Sequence, residues 1–140
     1  VGAPIDTDAG ARWLLGFTAL GMGAKTAVGV AIGGTRGLLP PTPLVPSEGY
    51  GTLGVSGAAT ERQVVFAAEA PRGEDRDAPR EIRVRVARGV ELGEPLVVRG
   101  PDESARHAST ARGADGTYAL AFQSAGAVFV RYLRCDEPSA

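Results

Sequence analysis

The sequence predicts an α+β protein in which a helix and a buried strand precede an antiparallel β unit. Three patterns support this prediction. Large apolar residues near the start recur at helical spacing, four prolines lie between residues 40 and 46, and apolar and charged residues alternate in parts of 61–140. With 44% hydrophobic and 22% charged residues among 140, the composition is typical of a folded chain rather than a disordered one.

Residues 6–20, DTDAGARWLLGFTAL, are predicted to form the helix. Asp6 and the polar residues after it can cap its first turn, and a carboxylate there suits the positive end of the helix dipole. Trp13, Phe17 and Leu20 follow i, i+4, i+7 spacing and would share one buried face.

A glycine-rich segment, LGMGAKTAVGVAIGG, follows at residues 20–34. Glycine accepts a positive φ angle, so Gly21 and Gly23 are expected to end the helix. The uncharged run TAVGVAI then predicts a strand buried on both sides. A nucleotide-binding P-loop is disfavoured, because Ala24 stands where that motif needs glycine and because a P-loop leads from a strand into a helix.

A second interpretation treats residues 13–34 as a transmembrane helix that tethers an extracytoplasmic β domain. The segment is long enough to cross a bilayer and contains one charge, Lys25. A lysine near the middle costs about 2.5 to 3.5 kcal/mol on insertion, and the six glycines also oppose a helix. The membrane helix remains the alternative to a soluble glycine loop.

The stretch LGMGAKTAVG resembles the C-terminal glycine-rich loop of the RAMP superfamily, the ferredoxin-like RNA-binding subunits of type III CRISPR effector complexes. It is most similar to the small Cmr-type backbone subunit. The resemblance covers residues 5–34, and the matching positions are Gly21, Met22, Gly23, Ala24, Lys25, Thr26 and Gly29.

The resemblance implies that residues 1–34 are the C-terminal part of a ferredoxin-like domain. It also implies a non-catalytic RNA-binding and assembly subunit of a cytoplasmic antiviral ribonucleoprotein. Its partners would be a guide RNA and other subunits of the effector complex, with no membrane. Gly21 and Gly23 would let the backbone approach the RNA, while Lys25 and Thr26 would contact phosphate, without reading bases.

The remaining chain is predicted to be a proline- and glycine-rich linker or arm, 35–60, followed by an antiparallel β unit, 61–140. The charged stretches 71–80 and 101–115 are predicted to be loops. The predicted strands are RQVVFAAEA, EIRVRVARG, EPLVVRG, GTYALAFQ and GAVFVRYL, the last two forming a hairpin around QSAG.

Composition limits the possible chemistry. Cys135 is the only cysteine and His107 the only histidine, which excludes an intramolecular disulfide and multi-cysteine or multi-histidine metal sites. We therefore expect no metal, no cofactor and no enzymatic activity. The net charge of −1 requires that any binding to a polyanion use a local basic patch.

Two further groups of residues have alternative interpretations. Arginines 83, 85 and 88 on one predicted strand, and 131 and 134 on another, could contact RNA or could be solubilising residues neutralised by nearby glutamates. Tyr50, Tyr118 and Tyr132 could stack on bases or could be core aromatics with a polar tip at the surface.

Overall fold

Among the residues described by the computed structural model, every regular element is a β-strand, and all strand pairs are antiparallel. The described residues are 2–5, 12–20, 25–34, 37–38, 42–43, 49–50, 53–59, 63–73, 75, 77–88, 91–114 and 116–135, with side chains described from Val55 onward. They form three sheets.

The first sheet contains six strands from the first 50 residues. The strands are β1 Gly2–Ile5, β2 Arg12–Leu20, β3 Lys25–Gly34, β4 Gly37–Leu38, β5 Thr42–Pro43 and β6 Gly49–Tyr50. The order is β1-β2-β3-β4, and β5 and β6 also pair with β3. The predicted arm thus supplies three short strands to one side of β3, where proline is tolerated because an edge strand need not donate at every position.

The predicted α+β fold, with a ferredoxin-like portion at its start, is wrong. Residues 12–20 form the strand β2 instead of a helix, and β2 pairs antiparallel with β3 from Trp13 opposite Gly33 to Leu20 opposite Thr26. Helical spacing within a short apolar run does not distinguish a helix from a buried strand. Pairing with β3, which was correctly predicted to be a strand, stabilises the extended form.

The second sheet is built around β8, Gln63–Pro71, and β9, Arg80–Arg88. The strand β7, Leu53–Ala59, pairs with β8, while β10, Glu91–Leu92, and β11, Leu96–Val98, both pair with β9. The strands predicted over RQVVFAAEA, EIRVRVARG and EPLVVRG are confirmed as β8, β9 and β11.

The third sheet has the order β12-β13-β14, with β12 Arg106–Arg112, β13 Thr117–Ser124 and β14 Ala127–Arg134. The predicted hairpin is confirmed, and its two-residue loop, Ala125 and Gly126, has positive φ angles of 46° and 74°. Both signs fit a type I′ turn, which matches the right-handed twist of the strands. The loop predicted for 101–115 is wrong in part, because β12 is a polar, mostly exposed strand without an apolar signal.

The main hydrophobic core lies between the second and third sheets. Inward side chains of β8 and β9, such as Val65, Ile82 and Val84, pack with Tyr118, Leu120 and Phe122 of β13. The predicted alternation in β9 is confirmed, since its arginines at 83 and 85 are only half-buried on the opposite face.

The other face of β8 carries a second cluster that includes Phe66, Ala68 and Ala70, all fully buried. Strands β1 and β6 of the first sheet contact β8. Every residue of β8 is therefore buried, and the strand is the central element of the fold.

Candidate nucleic-acid interface

The glycine-rich segment connects two antiparallel strands instead of a helix and a strand. Lys25 and Thr26 begin β3, where Lys25 pairs with Tyr50 and Thr26 pairs with Leu20 and Gly49. The other two candidate site residues, Gly21 and Gly23, lie outside the described residues. The RNA-contact role predicted for these four residues stays a prediction.

The interval considered as a membrane helix, residues 13–34, contains most of β2 and β3. Among the described residues, no helix is long and apolar enough to cross a membrane.

His107 lies in β12 at a β-bulge, exposed and with a φ angle of 55°. Its backbone N–H donates to Glu69 Oε2 at 2.9 Å, and this bond holds the backbone in a conformation that is uncommon for a residue other than glycine. The arrangement shows a structural role for the His107 backbone and no catalytic partner for its ring among the described residues.

Asp102 and Ser124 form a second polar contact, in which Ser124 Oγ donates to Asp102 Oδ1 at 2.5 Å. Asp102 also accepts from the backbone N–H groups of Ala125 at 2.9 Å and Ser104 at 3.0 Å. These hydrogen bonds, that from Ser124 first, lower the pKa of Asp102 below its ordinary value of 3.8. The carboxylate ties the loop after β11 to the β13–β14 turn, which is a structural function.

No group of three histidine, cysteine, aspartate or glutamate residues able to hold a metal occurs within the described part of the chain. The single cysteine, Cys135, is half-buried against the main core, and its carbonyl accepts from Gln63 Nε2 at 3.1 Å.

The arginines of β9 are engaged within the protein. Arg83 Nε binds Glu81 Oε1 at 2.9 Å, and Arg85 Nε donates to the carbonyl of Gly93 at 2.6 Å. The proposed neutralisation by Glu81 is therefore confirmed for Arg83, and this strand does not form a continuous basic stripe.

The outward side of the third sheet has a different character. Side chains alternate along β14, so that Phe129 and Leu133 pack against the core while Val128, Val130 and Tyr132 face outward. Their exposures are 75%, 50% and 77%, values that are high for large apolar or aromatic residues on one strand.

The register places these residues in three rows across the sheet, which we call the tyrosine face. The rows are Tyr132–Ala119–Ala111, Val130–Ala121–Ser109 and Val128–Gln123–Arg106. None of these nine residues is acidic. On the central strand β13, Ala119 and Ala121 have short side chains. They leave space beside the Tyr132 ring in which a planar group can lie.

The three tyrosines have separate environments. Tyr118 is fully buried, and its hydroxyl accepts from Gln63 Nε2 at 3.2 Å, whereas Tyr132 is the most exposed of the large apolar and aromatic side chains noted above. The side chain of Tyr50 lies outside the described part of the structure. Sequence reasoning named Tyr132 but could not separate it from Tyr118, since both occupy strands with apolar residues on each side.

Comparison with known proteins finds no matching family model, no matching curated sequence and no matching solved structure.

Proposed function

We propose that this protein is a non-catalytic RNA-binding module that holds single-stranded RNA on the tyrosine face. The observation that carries the proposal is the 77% exposure of Tyr132 on a sheet face whose three rows contain no acidic residue. Unpaired bases stack on exposed aromatic rings of a sheet without regard to sequence. A duplex keeps its bases inside, so stacking requires a single strand.

An arginine at the margin of the face completes the interface. Arg106 is exposed at the end of the row that contains Val128. Its guanidinium group attracts the phosphate backbone, which supplies affinity that depends on salt but not on base sequence.

The experiment is a fluorescence anisotropy titration of labelled oligouridine at low salt. Tyr132→Ala should weaken binding about 5- to 150-fold, because stacking of one base contributes about 1 to 3 kcal/mol. Tyr132→Phe keeps the ring and should retain most of the affinity. Arg106→Gln should lower the slope of log affinity against log salt by about 0.7, the value for one phosphate contact on a single strand.

Leu96→Ala serves as the matched control, since Leu96 is 52% exposed but lies on β11 of the second sheet. Equal affinity of wild type and Tyr132→Ala would contradict the proposal. If the wild-type protein is a dimer that does not bind oligouridine, and the Tyr132→Ala variant is a monomer, the tyrosine face is instead a protein interface.

Membership of a CRISPR-type effector complex, with a guide RNA as ligand, is a narrower proposal that rests on the resemblance at residues 5–34. Lys25→Ala tests it in the same titration. If Lys25 holds phosphate, the variant should lose affinity similarly for all RNA sequences. Wild-type affinity and salt slope in Lys25→Ala would remove this part of the proposal while leaving the tyrosine face unaffected.

A further inference from the structure

A buried carboxylate, Glu81, organises three arginines at the edge of the second sheet. The Glu81 side chain is only 6% exposed. Arg83 Nε lies 2.9 Å from Oε1, while Arg99 Nε and Arg72 Nε lie 3.4 Å and 4.0 Å from Oε2. The β9–β11 register, with Val98 opposite Ile82, brings Arg99 level with Glu81.

All three arginines contact Glu81 through Nε, and two of them, Arg83 and Arg99, have terminal guanidinium nitrogens that no described residue engages. Within the described part of the chain, no hydrogen bond or ion pair engages the terminal nitrogens of Arg83 or Arg99. The Arg83 and Arg99 side chains are 19% and 47% exposed, so these nitrogens can reach a ligand. Arg72 differs, because its Nη1 pairs with Glu103 at 3.1 Å.

The charges favour an anion. Three guanidinium groups face two carboxylates, Glu81 and Glu103, which leaves a net charge of +1. A carboxylate that fixes guanidinium groups in advance lowers the entropy cost of binding a ligand between them. The pair of N–H donors at the end of each guanidinium matches the spacing of two oxygens on a phosphate.

We propose that Arg83 and Arg99, oriented by Glu81, form a binding site for a phosphate group. The site lies on the second sheet, so it does not depend on RNA binding at the tyrosine face. Its ligand is a free phosphate compound or a phosphate of a nucleic acid, and both present the same oxyanion to the two guanidinium groups.

The test is a titration with inorganic phosphate at constant ionic strength, followed by the NMR signals of the arginine Nε–Hε groups. Arg83 and Arg99 should show saturable shifts. Arg99→Gln should weaken binding about tenfold or more, and Arg99→Lys should also weaken it, because lysine keeps the charge but loses the paired donors. Arg112→Gln, a change at an exposed arginine of the third sheet that belongs to neither proposed site, should leave the titration unaltered.

Shifts that increase linearly without saturation, or an equal effect of Arg112→Gln, would overturn the phosphate site. Arg99→Gln is preferred to a change at Arg83, since Arg99 is more exposed and Glu81 keeps its contact with Arg83. Thermal unfolding checks that the variant is folded.

A parallel oligouridine titration identifies the source of the phosphate. Weaker RNA binding by Arg99→Gln would support a nucleic-acid phosphate, and unchanged RNA binding would support a free phosphate compound. Tyr132→Ala should leave the inorganic phosphate titration unchanged, so failure of the RNA proposal and failure of the phosphate site can be distinguished.

Discussion

The buried ion pair between Glu69 and Arg80 gives a sharp test of how the second and third sheets are held together. The side chains are 5% and 8% exposed, and Arg80 Nε contacts Glu69 Oε1. The other carboxylate oxygen accepts from the backbone N–H of His107, and the carbonyl of Arg80 accepts from Ala105 N–H at 2.8 Å. The pair thus links β8 and β9 to the start of β12.

Glu69→Leu should destabilise the protein by about 3 to 5 kcal/mol, because it leaves the Arg80 charge buried without its carboxylate. This loss is a large share of the roughly 5 to 15 kcal/mol by which a typical domain is stable. The double change Glu69→Leu/Arg80→Met should recover part of the loss, since replacing both members of a buried ion pair by apolar residues is often close to neutral. The part that remains is due to the His107 N–H, which lacks the Glu69 acceptor in both variants.

The measurement is urea denaturation followed by far-UV circular dichroism for wild type, both single variants and the double variant. A loss below about 1 kcal/mol for Glu69→Leu would refute the reasoning, because removing the carboxylate from a buried ion pair costs more than that. A double variant no more stable than Glu69→Leu would also refute it.

Three further predictions concern the loops of the third sheet. Gly100→Ala should destabilise by about 1 to 3 kcal/mol in thermal unfolding, because the added Cβ would overlap the Ser124 side chain, and unchanged stability would contradict this packing. Ala125→Asn should stabilise by about 0.5 to 1 kcal/mol, since asparagine accepts the positive φ better than alanine, and a lower melting temperature would argue against the type I′ turn. Asp102→Asn should be less stable than wild type at neutral pH. Folding lowers the pKa of Asp102, so the ionised carboxylate stabilises the folded protein above pH 3.8, and this stabilisation is lost as the pH falls through the folded pKa. The free energies of unfolding of wild type and Asp102→Asn, plotted against pH, should therefore converge in acid. Parallel curves would contradict this.

The strands of the second half could largely be predicted from the sequence. Alternation of Ile82 and Val84 with Arg83 and Arg85 predicts a strand with one buried face, and the structure places those faces as expected. The polar strand β12 was missed because its pairing with β13 depends on backbone hydrogen bonds and not on apolar side chains.

The candidate sites were less accessible to sequence reasoning. The arginines around Glu81 come from positions 72, 83 and 99. Pairing of β11 with β9 brings Arg99 to Glu81, and pairing of β8 with β9 brings Arg72, which follows β8, to the same place. The sequence identified Tyr132 and Arg83 as candidates, but it could not tell which of them would be paired within the protein.

The sequence by itself determined the strong local preferences: the β9 alternation, the hairpin at Ala125 and the extended backbone at Pro43. These follow from side-chain shape and backbone freedom within a few residues. Tertiary structure decided that residues 12–20 are a strand and that Val128, Val130 and Tyr132 face outward. An apolar run satisfies helix and strand alike, and β14 has apolar residues on both sides. Whether residues 12–20 form a helix or a strand therefore depends on which distant strand pairs with them. Which side of β14 is buried depends on which side the second sheet covers.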